Sequence, residues 1–124
     1  MTGTEKAEAV REHERMTTGS DSFYKHFLGL TYTDGIAFVA ETCGAHWLID
    51  IVASYQPKLR REEFQVWRLR HMDSGAWAIE CFPDTPSEGN RLVYQRIESS
   101  DFPEELSPFM CWVEHGTMLL PREH

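Results

Sequence analysis

Cysteine and histidine spacing is the sharpest chemical signal in this sequence of 124 residues. Cys43 and His46 are spaced as a C-x2-H pair and Cys111 and His115 as a C-x3-H pair, which together supply enough ligands for tetrahedral zinc. Both cysteines also border apolar residues, where a small core side chain needs no metal. Because the three cysteines are odd in number and form no C-x-x-C pair, we expect reduced thiols, no metal and no cofactor.

Local signatures of catalysis are missing from the chain. It contains no nucleophile elbow, no glycine-rich phosphate loop, no HExxH motif and no catalytic motif of paired carboxylates. Active sites are sometimes assembled from scattered residues, so a small enzyme of that kind stays open as an alternative. We expect a protein that is not an enzyme.

Acidic residues are concentrated in the last third of the chain. The formal net charge is −8, and nine acidic residues against three arginines from residue 80 onward account for −6 of it. Phosphates would be repelled by this end, so we expect no direct contact with nucleic acid and a partner protein with a basic surface. The expected partner-binding residues lie on one turn-containing connection, with a phenylalanine as apolar anchor among carboxylates: Glu98, Asp101, Phe102, Glu104 and Glu105.

Four arginines form the main basic cluster of the sequence: Arg60, Arg61, Arg68 and Arg70. We expect them to form a solvated face that balances the neighbouring Glu62 and Glu63. As a footprint for nucleic acid the cluster is small, and it matches no known recognition module.

Helices are predicted in the first half of the chain. Residues 4–16 form a polar helix with a thin apolar stripe of Ala7 and Val10, and turn-forming residues over 17–22 follow it as a hinge. We therefore expect residues 1–22 to be an N-terminal helical arm with its hinge, and residues 23–124 to be a single α+β domain.

Two further helices carry clearer signals. One begins near Ile36 after a cap at Thr33 or Asp34 and ends at Gly44. The next ends before Pro57, and its predicted buried face is a continuous apolar stripe: Trp47, Leu48, Ile51, Val52 and Tyr55.

From residue 64 the hydrophobic period changes to two, which predicts strands. A hairpin over 64–82 is followed by a strand at 91–98 and a second hairpin over 109–120, and a short strand is expected at 28–32. The expected fold is α+β, with N-terminal helices packed on an antiparallel meander of four or five strands. Apolar residues at both parities of the strand at 64–71 indicate either a bulge or a strand that is apolar on both faces.

Targeting signals are weak. No apolar run is long enough to span a membrane and the first twenty residues lack a secretory apolar centre, so we expect a cytoplasmic protein.

The sequence contains five short blocks in this order: TDG at 33–35, AHWLIDIVAS at 45–54, EFQVWRL at 63–69, DFP at 101–103 and LLP at 119–121. In order and spacing they resemble a small bacterial and phage family of unknown function, over about residues 18–122. The resemblance implies no assigned activity and no catalytic residues. It does imply a genetic context, because such proteins resemble the cargo of phages, plasmids and genomic islands.

Three classes of function follow from these observations. The first is a small acidic, non-enzymatic binding protein of a mobile element that inhibits a host nucleic-acid-handling machine, such as a CRISPR effector or restriction nuclease, by protein–protein contact. The second is a small enzyme with a scattered active site. The third is a homodimeric structural or assembly module.

Overall fold

The computed structural model describes residues 2–16, 22–87 and 89–124, so most of the expected hinge at 17–22 lies outside the described residues. Within those ranges the chain forms three α-helices and a seven-stranded sheet. The helices are α1 (Gly3–Met16), α2 (Asp34–Cys43) and α3 (His46–Tyr55). The strands are β1 (Phe23–Lys25), β2 (Thr31–Thr33), β3 (Phe64–His71), β4 (Trp77–Phe82), β5 (Val93–Ile97), β6 (Phe109–Glu114) and β7 (Thr117–Leu119).

The sheet has the strand order β1-β2-β7-β6-β3-β4-β5 and is mixed, because β2 pairs parallel to β7 while the other neighbours are antiparallel. The α+β class is confirmed, whereas the expected antiparallel meander of four or five strands is wrong. Two strands were missed or misplaced because β1 and β2 have only three residues each, too few for an alternating pattern to appear. The parallel pair joins Thr31 to Thr117, which lie far apart in the sequence, and local hydrophobic periodicity does not predict such a pairing.

Helices α2 and α3 cover one face of the sheet, which we call the inner face. The cap at Thr33 and the end of α2 at Gly44 are confirmed, although the helix begins at Asp34 and not near Ile36. The Thr33 hydroxyl accepts a hydrogen bond from the Ile36 N–H at 3.3 Å, and Gly44 ends the helix at a φ of 62°. That left-handed conformation is the reason for glycine there.

The buried face of α3 is rotated from the predicted one. Leu48 and Val52 are buried in one cluster with Trp77 and Ile79 of β4, as expected, but Trp47, Ile51 and Tyr55 are only half-buried. Ile49 and Ala53 are buried instead. Contact with α2 causes this rotation, because Ile49 packs beside Ile36 and Val39. Helix α3 therefore buries one side against the sheet and a neighbouring side against α2.

Helix α1 packs on α2 through its small apolar stripe, because Ala7 and Val10 are both buried. Polar contacts add to this packing. The Thr4 hydroxyl donates to the Glu105 carboxylate at 2.6 Å, and an Arg11 Nη donates to the Glu105 backbone carbonyl at 2.5 Å. The expected division of the chain after residue 22 stays a prediction.

Strand β3 carries apolar residues on both faces. Its registers run without interruption from Val66↔Phe82 to His71↔Trp77 on β4 and from Phe64↔Glu114 to Leu69↔Phe109 on β6, so it contains no bulge. Trp67 and Leu69 point into the inner core, while Val66 is buried on the opposite, outer face.

No helix in the described ranges is both long enough and apolar enough to cross a bilayer.

Candidate anion-binding site

The β3–β4 hairpin places charged side chains together on the outer face of the sheet. Its register pairs Arg68 with Glu80, and since side chains alternate along a strand, Arg70 projects on that same face. The connection between β4 and β5 brings Arg91 to the same carboxylate. Three arginines, two from β3 and one from the connection between β4 and β5, therefore converge on Glu80 of β4.

Glu80 is the centre of this cluster. Its carboxylate accepts hydrogen bonds from Arg68 Nε at 3.0 Å, Arg70 Nε at 2.7 Å and Arg91 Nη1 at 2.8 Å, and the residue is only 1% exposed. Burial alone would raise the pKa of Glu80, but the hydrogen bonds from the three guanidiniums outweigh it and lower that pKa to about 2. The hydrogen bond with Glu80 in turn raises the pKa of Arg70. Glu80 is therefore ionised at neutral pH.

A cavity of about 590 Å³ opens above this cluster. Its described lining residues are Arg68, Arg70, Glu80, Phe82, Pro86, Ser87 and Arg91, which sum to a charge of +2. Each guanidinium carries five N–H donors, and together these exceed what the two oxygens of Glu80 accept. The arginine side chains are 29%, 35% and 41% exposed, so unused donors can reach an incoming anion. We call this the arginine cavity.

Aromatic rings hold two of the arginines in place. The Arg68 guanidinium lies 5.0 Å from the centre of the Phe82 ring, and that of Arg91 lies 4.4 Å from the centre of the Tyr94 ring. Cation–π contacts of this kind add to the ion pairs with Glu80 and restrict the side-chain rotamers. The cavity is therefore organised before any ligand arrives.

The expected role of Arg68 and Arg70 as a solvated balance for Glu62 and Glu63 is wrong, because both pair with Glu80. The sequence did hold a signal for this pairing. A hairpin that turns at residues 73–75 aligns position 68 with position 80, and a lone glutamate in an otherwise apolar strand then faces an arginine. The contribution of Arg91 comes from a loop and had no such signal.

The predicted partner-binding segment is mostly on the surface. Glu98 is exposed and paired with Arg96 at 2.9 Å, Glu104 is exposed and 3.4 Å from His71, and Asp101 is exposed as well. The Glu105 carboxylate accepts the hydrogen bond from α1 described above. Partner binding by these carboxylates stays a prediction.

Phe102 lies in the core. It is 2% exposed, and its ring packs against Trp77 at 5.6 Å and Phe109 at 5.5 Å between centroids. The expectation that Phe102 is an apolar anchor projecting among the carboxylates is therefore wrong. The physical reason is that the turn at 101–103 directs its single aromatic ring into the end of the core. The sequence shows only a lone aromatic residue among polar neighbours, and that pattern does not indicate the direction of the ring.

In the described residues, the cysteines are not grouped with the histidines spaced near them in the sequence. Cys43, Cys81 and Cys111 are all buried, and burial raises their pKa values to about 11, about 12 and about 12. Across residues 2–16, 22–87 and 89–124, no three His, Cys, Asp or Glu side chains are grouped in a way that would hold a metal ion. The two spaced pairs are therefore not brought together.

Comparison with known proteins identifies a family without an assigned role. A model described as a family of unknown function, DUF6876, matches residues 9–124. No curated protein and no solved structure matches the chain.

Proposed function

The chain belongs to a family of unknown function, DUF6876, and we propose that it is a non-enzymatic binding protein that takes up an anionic group of a partner in the arginine cavity. The group is a carboxylate or a phosphate, since both accept paired N–H donors from guanidinium. The observation that carries the proposal is the surplus of charge, three guanidiniums on one buried carboxylate beneath an open cavity.

Neutralising Glu80 does not account for three arginines. One guanidinium would balance the carboxylate, and buried ion pairs contribute little net stability compared with apolar packing. The extra charge costs desolvation and mutual repulsion unless another anion offsets it. A site that gathers arginines, fixes them on a buried anchor and leaves donors open is what anion recognition requires.

The buried thiols support a binding role over a catalytic one. Thiolate is the nucleophilic form of cysteine, and pKa values of about 11 to about 12 leave almost none of it at neutral pH.

Arginine side-chain NMR tests the proposal directly. Inorganic phosphate is titrated into the protein while the Nε–Hε resonances of the arginines are followed. We expect saturable shifts at Arg68, Arg70 and Arg91, and we expect Arg91→Gln to weaken phosphate binding about fivefold or more because it removes a charge-assisted donor. Arg96→Gln is the matched control, since Arg96 lies on the same face but pairs with Glu98.

Two results would count against this site. One is a set of shifts spread evenly over all arginines without saturation, which indicates general screening by ions. The other is an equal loss of binding in Arg91→Gln and Arg96→Gln, which removes any special role for the cavity.

A second candidate function uses the acidic connection. Glu98, Asp101 and Glu104 are exposed together on the segment between β5 and β6, and a surface of this charge fits a partner that normally binds phosphate. In this second proposal the protein is an inhibitor of a host nucleic-acid-handling machine, such as a CRISPR effector or restriction nuclease.

A further inference from the structure

Strand β5 forms one edge of the sheet and lies between two cationic cavities. It is bordered by large exposed side chains, since Leu92 is 40% exposed and Tyr94 is 42% exposed. Most edge strands are shielded, because a free edge can pair with another chain. The edge at β5 is therefore a candidate surface for an added strand.

The second cavity lies beside β5 on the inner, helix side and has a volume of about 650 Å³. It is lined by Tyr55 at the end of α3, by residues 57–62 and by residues 92–94. Its charged members are Lys58, Arg60, Arg61 and Glu62, a sum of +2. Tyr55 also donates a hydrogen bond to Gln95 at 2.8 Å, which fixes this cavity relative to β5.

The two cavities meet at one aromatic contact. Arg91 lines the arginine cavity and Tyr94 lines the second cavity. The Arg91 guanidinium stacks over the Tyr94 ring. A chain running along β5 would thus meet positive charge on its outer side and on its inner side.

We propose that β5 is the docking edge for an extended acidic peptide of a partner protein. The peptide pairs its backbone with β5, and its acidic side chains enter the two cavities in alternation. This inference rests on the proposed function, because the arginine cavity takes one set of the peptide's carboxylates.

Alternation is what favours a peptide as the occupant. Successive side chains of a strand point to opposite faces of the sheet, so one added strand reaches both cavities. A single strand of nucleic acid instead lays its phosphates in one groove and stacks its bases on aromatic platforms. The arginine cavity lies on the outer face and the second cavity is lined from the end of α3, and they meet where Arg91 stacks on Tyr94, so together they offer positive charge to both faces of an added strand.

Hydrogen exchange with a defined probe tests the inference. The probe is a ten-residue peptide in which pairs of Glu alternate with pairs of Thr, with acetylated and amidated ends, so that Glu side chains lie on both faces of the added strand. We expect it to slow exchange of backbone amides within 93–97. Its copy with N-methyl groups on every backbone amide keeps the charge but has no N–H donor on either edge, and we expect about tenfold weaker binding from the loss of backbone hydrogen bonds.

Charge variants separate this proposal from the function proposed above. The double variant Arg60→Gln with Arg61→Gln should weaken the peptide about tenfold while phosphate still binds the arginine cavity. The matched control, Lys25→Gln with Arg122→Gln, removes two charges elsewhere and should leave peptide binding unchanged. If phosphate binds but the peptide does not, the inference fails alone. If neither binds, the proposed function fails with it.

Three further outcomes would overturn the inference. Equal binding of the N-methylated peptide would show that charge alone attracts the probe. Stronger protection of the same amides by a ten-residue oligothymidylate would make the edge a nucleic-acid surface. Dimers in sedimentation equilibrium, with the β5 amides already protected, would make a second copy of this chain the occupant.

Discussion

Glu80 is an ionised carboxylate removed from water, and the three guanidiniums around it stabilise its ionised form. Its pKa lies at about 2, well below the ordinary value of 4.5. A carboxylate whose pKa is lower in the folded state stabilises the fold above its unfolded pKa, and this stabilisation is lost as the pH falls through the folded value. The cluster should therefore be acid-sensitive.

The first prediction is a fall in stability between about pH 4.5 and about pH 2, the interval between the two pKa values of Glu80. The contribution lost is roughly 3 kcal/mol, since one pKa unit corresponds to about 1.4 kcal/mol. Urea denaturation at a series of pH values measures it. Glu80→Gln should be less stable at pH 7 and should lose less on acidification, and an identical acid loss in both proteins would refute the assignment.

Individual residues differ in how far the sequence could place them. Arg68 and Glu80 are brought together by a hairpin register that the sequence supplies, although their pairing had to be derived from two strands considered at once. Arg91 and Phe102 lie on irregular segments. No period governs such segments, so neither the third arginine nor the inward turn of the ring was predictable.

At the scale of elements, α3 shows how a neighbour changes a buried face. The second prediction compares two substitutions on this helix. Leu48→Ala should lower the free energy of unfolding by about 2 to 5 kcal/mol, as large-to-small changes in a packed core do. Ile51→Ala should cost less than half as much because Ile51 is only half-buried. Denaturant titration measures both, and equal losses would restore the face predicted from the sequence.

One carboxylate of the C-terminal segment accepts hydrogen bonds from the start of α2. Glu123 accepts hydrogen bonds from the Thr33 hydroxyl at 2.6 Å, from the Gly35 N–H at 3.2 Å and from the Leu120 N–H at 2.8 Å. A Cβ at Gly35 would lie 2.6 Å from that carboxylate, which explains the absence of a side chain at this position.

The third prediction is a coupling between these two positions. Glu123→Ala should cost about 1 to 3 kcal/mol, because it leaves the N–H and hydroxyl donors at the start of α2 without their acceptor. Gly35→Ala should be destabilising in the natural protein and much less so in the Glu123→Ala background, since the clash is then gone. A double-mutant cycle measured by thermal unfolding checks this, and strictly additive losses would argue against the contact.

Helices and strands were predictable where they are long enough to show a hydrophobic periodicity. Both α2 and α3, the β3–β4 hairpin and the β6–β7 hairpin follow from local patterns and turn residues. The β1 and β2 strands do not, and the parallel pairing of β2 with β7 depends on how the whole chain returns to the sheet. That pairing is the reason the observed sheet is mixed.

At the scale of the whole molecule, charge is separated although the net value is −8. Cationic side chains concentrate around β3, β4 and β5, while exposed carboxylates occupy the connection from β5 to β6. Each region can serve a partner of opposite charge. The two proposed functions are therefore separable by substitution.

The fourth prediction tests the acidic connection. Glu98→Lys combined with Asp101→Lys should abolish capture of a nuclease or CRISPR component from host lysate, with a change in Tm of no more than a few degrees because exposed ion pairs contribute little. Association should also slow between low and physiological ionic strength. Capture that is unchanged by the double variant, at the same salt, would remove this segment from any interface.

Anion binding in the arginine cavity can be observed by diffraction from crystals soaked in tungstate. Tungstate carries the tetrahedral oxygens of phosphate, and its anomalous signal locates it without ambiguity. We predict tungstate within hydrogen-bonding distance of at least two of the guanidiniums of Arg68, Arg70 and Arg91, with Glu80 still bound beneath them. An empty arginine cavity, in crystals where tungstate occupies other cationic surfaces, would contradict the account.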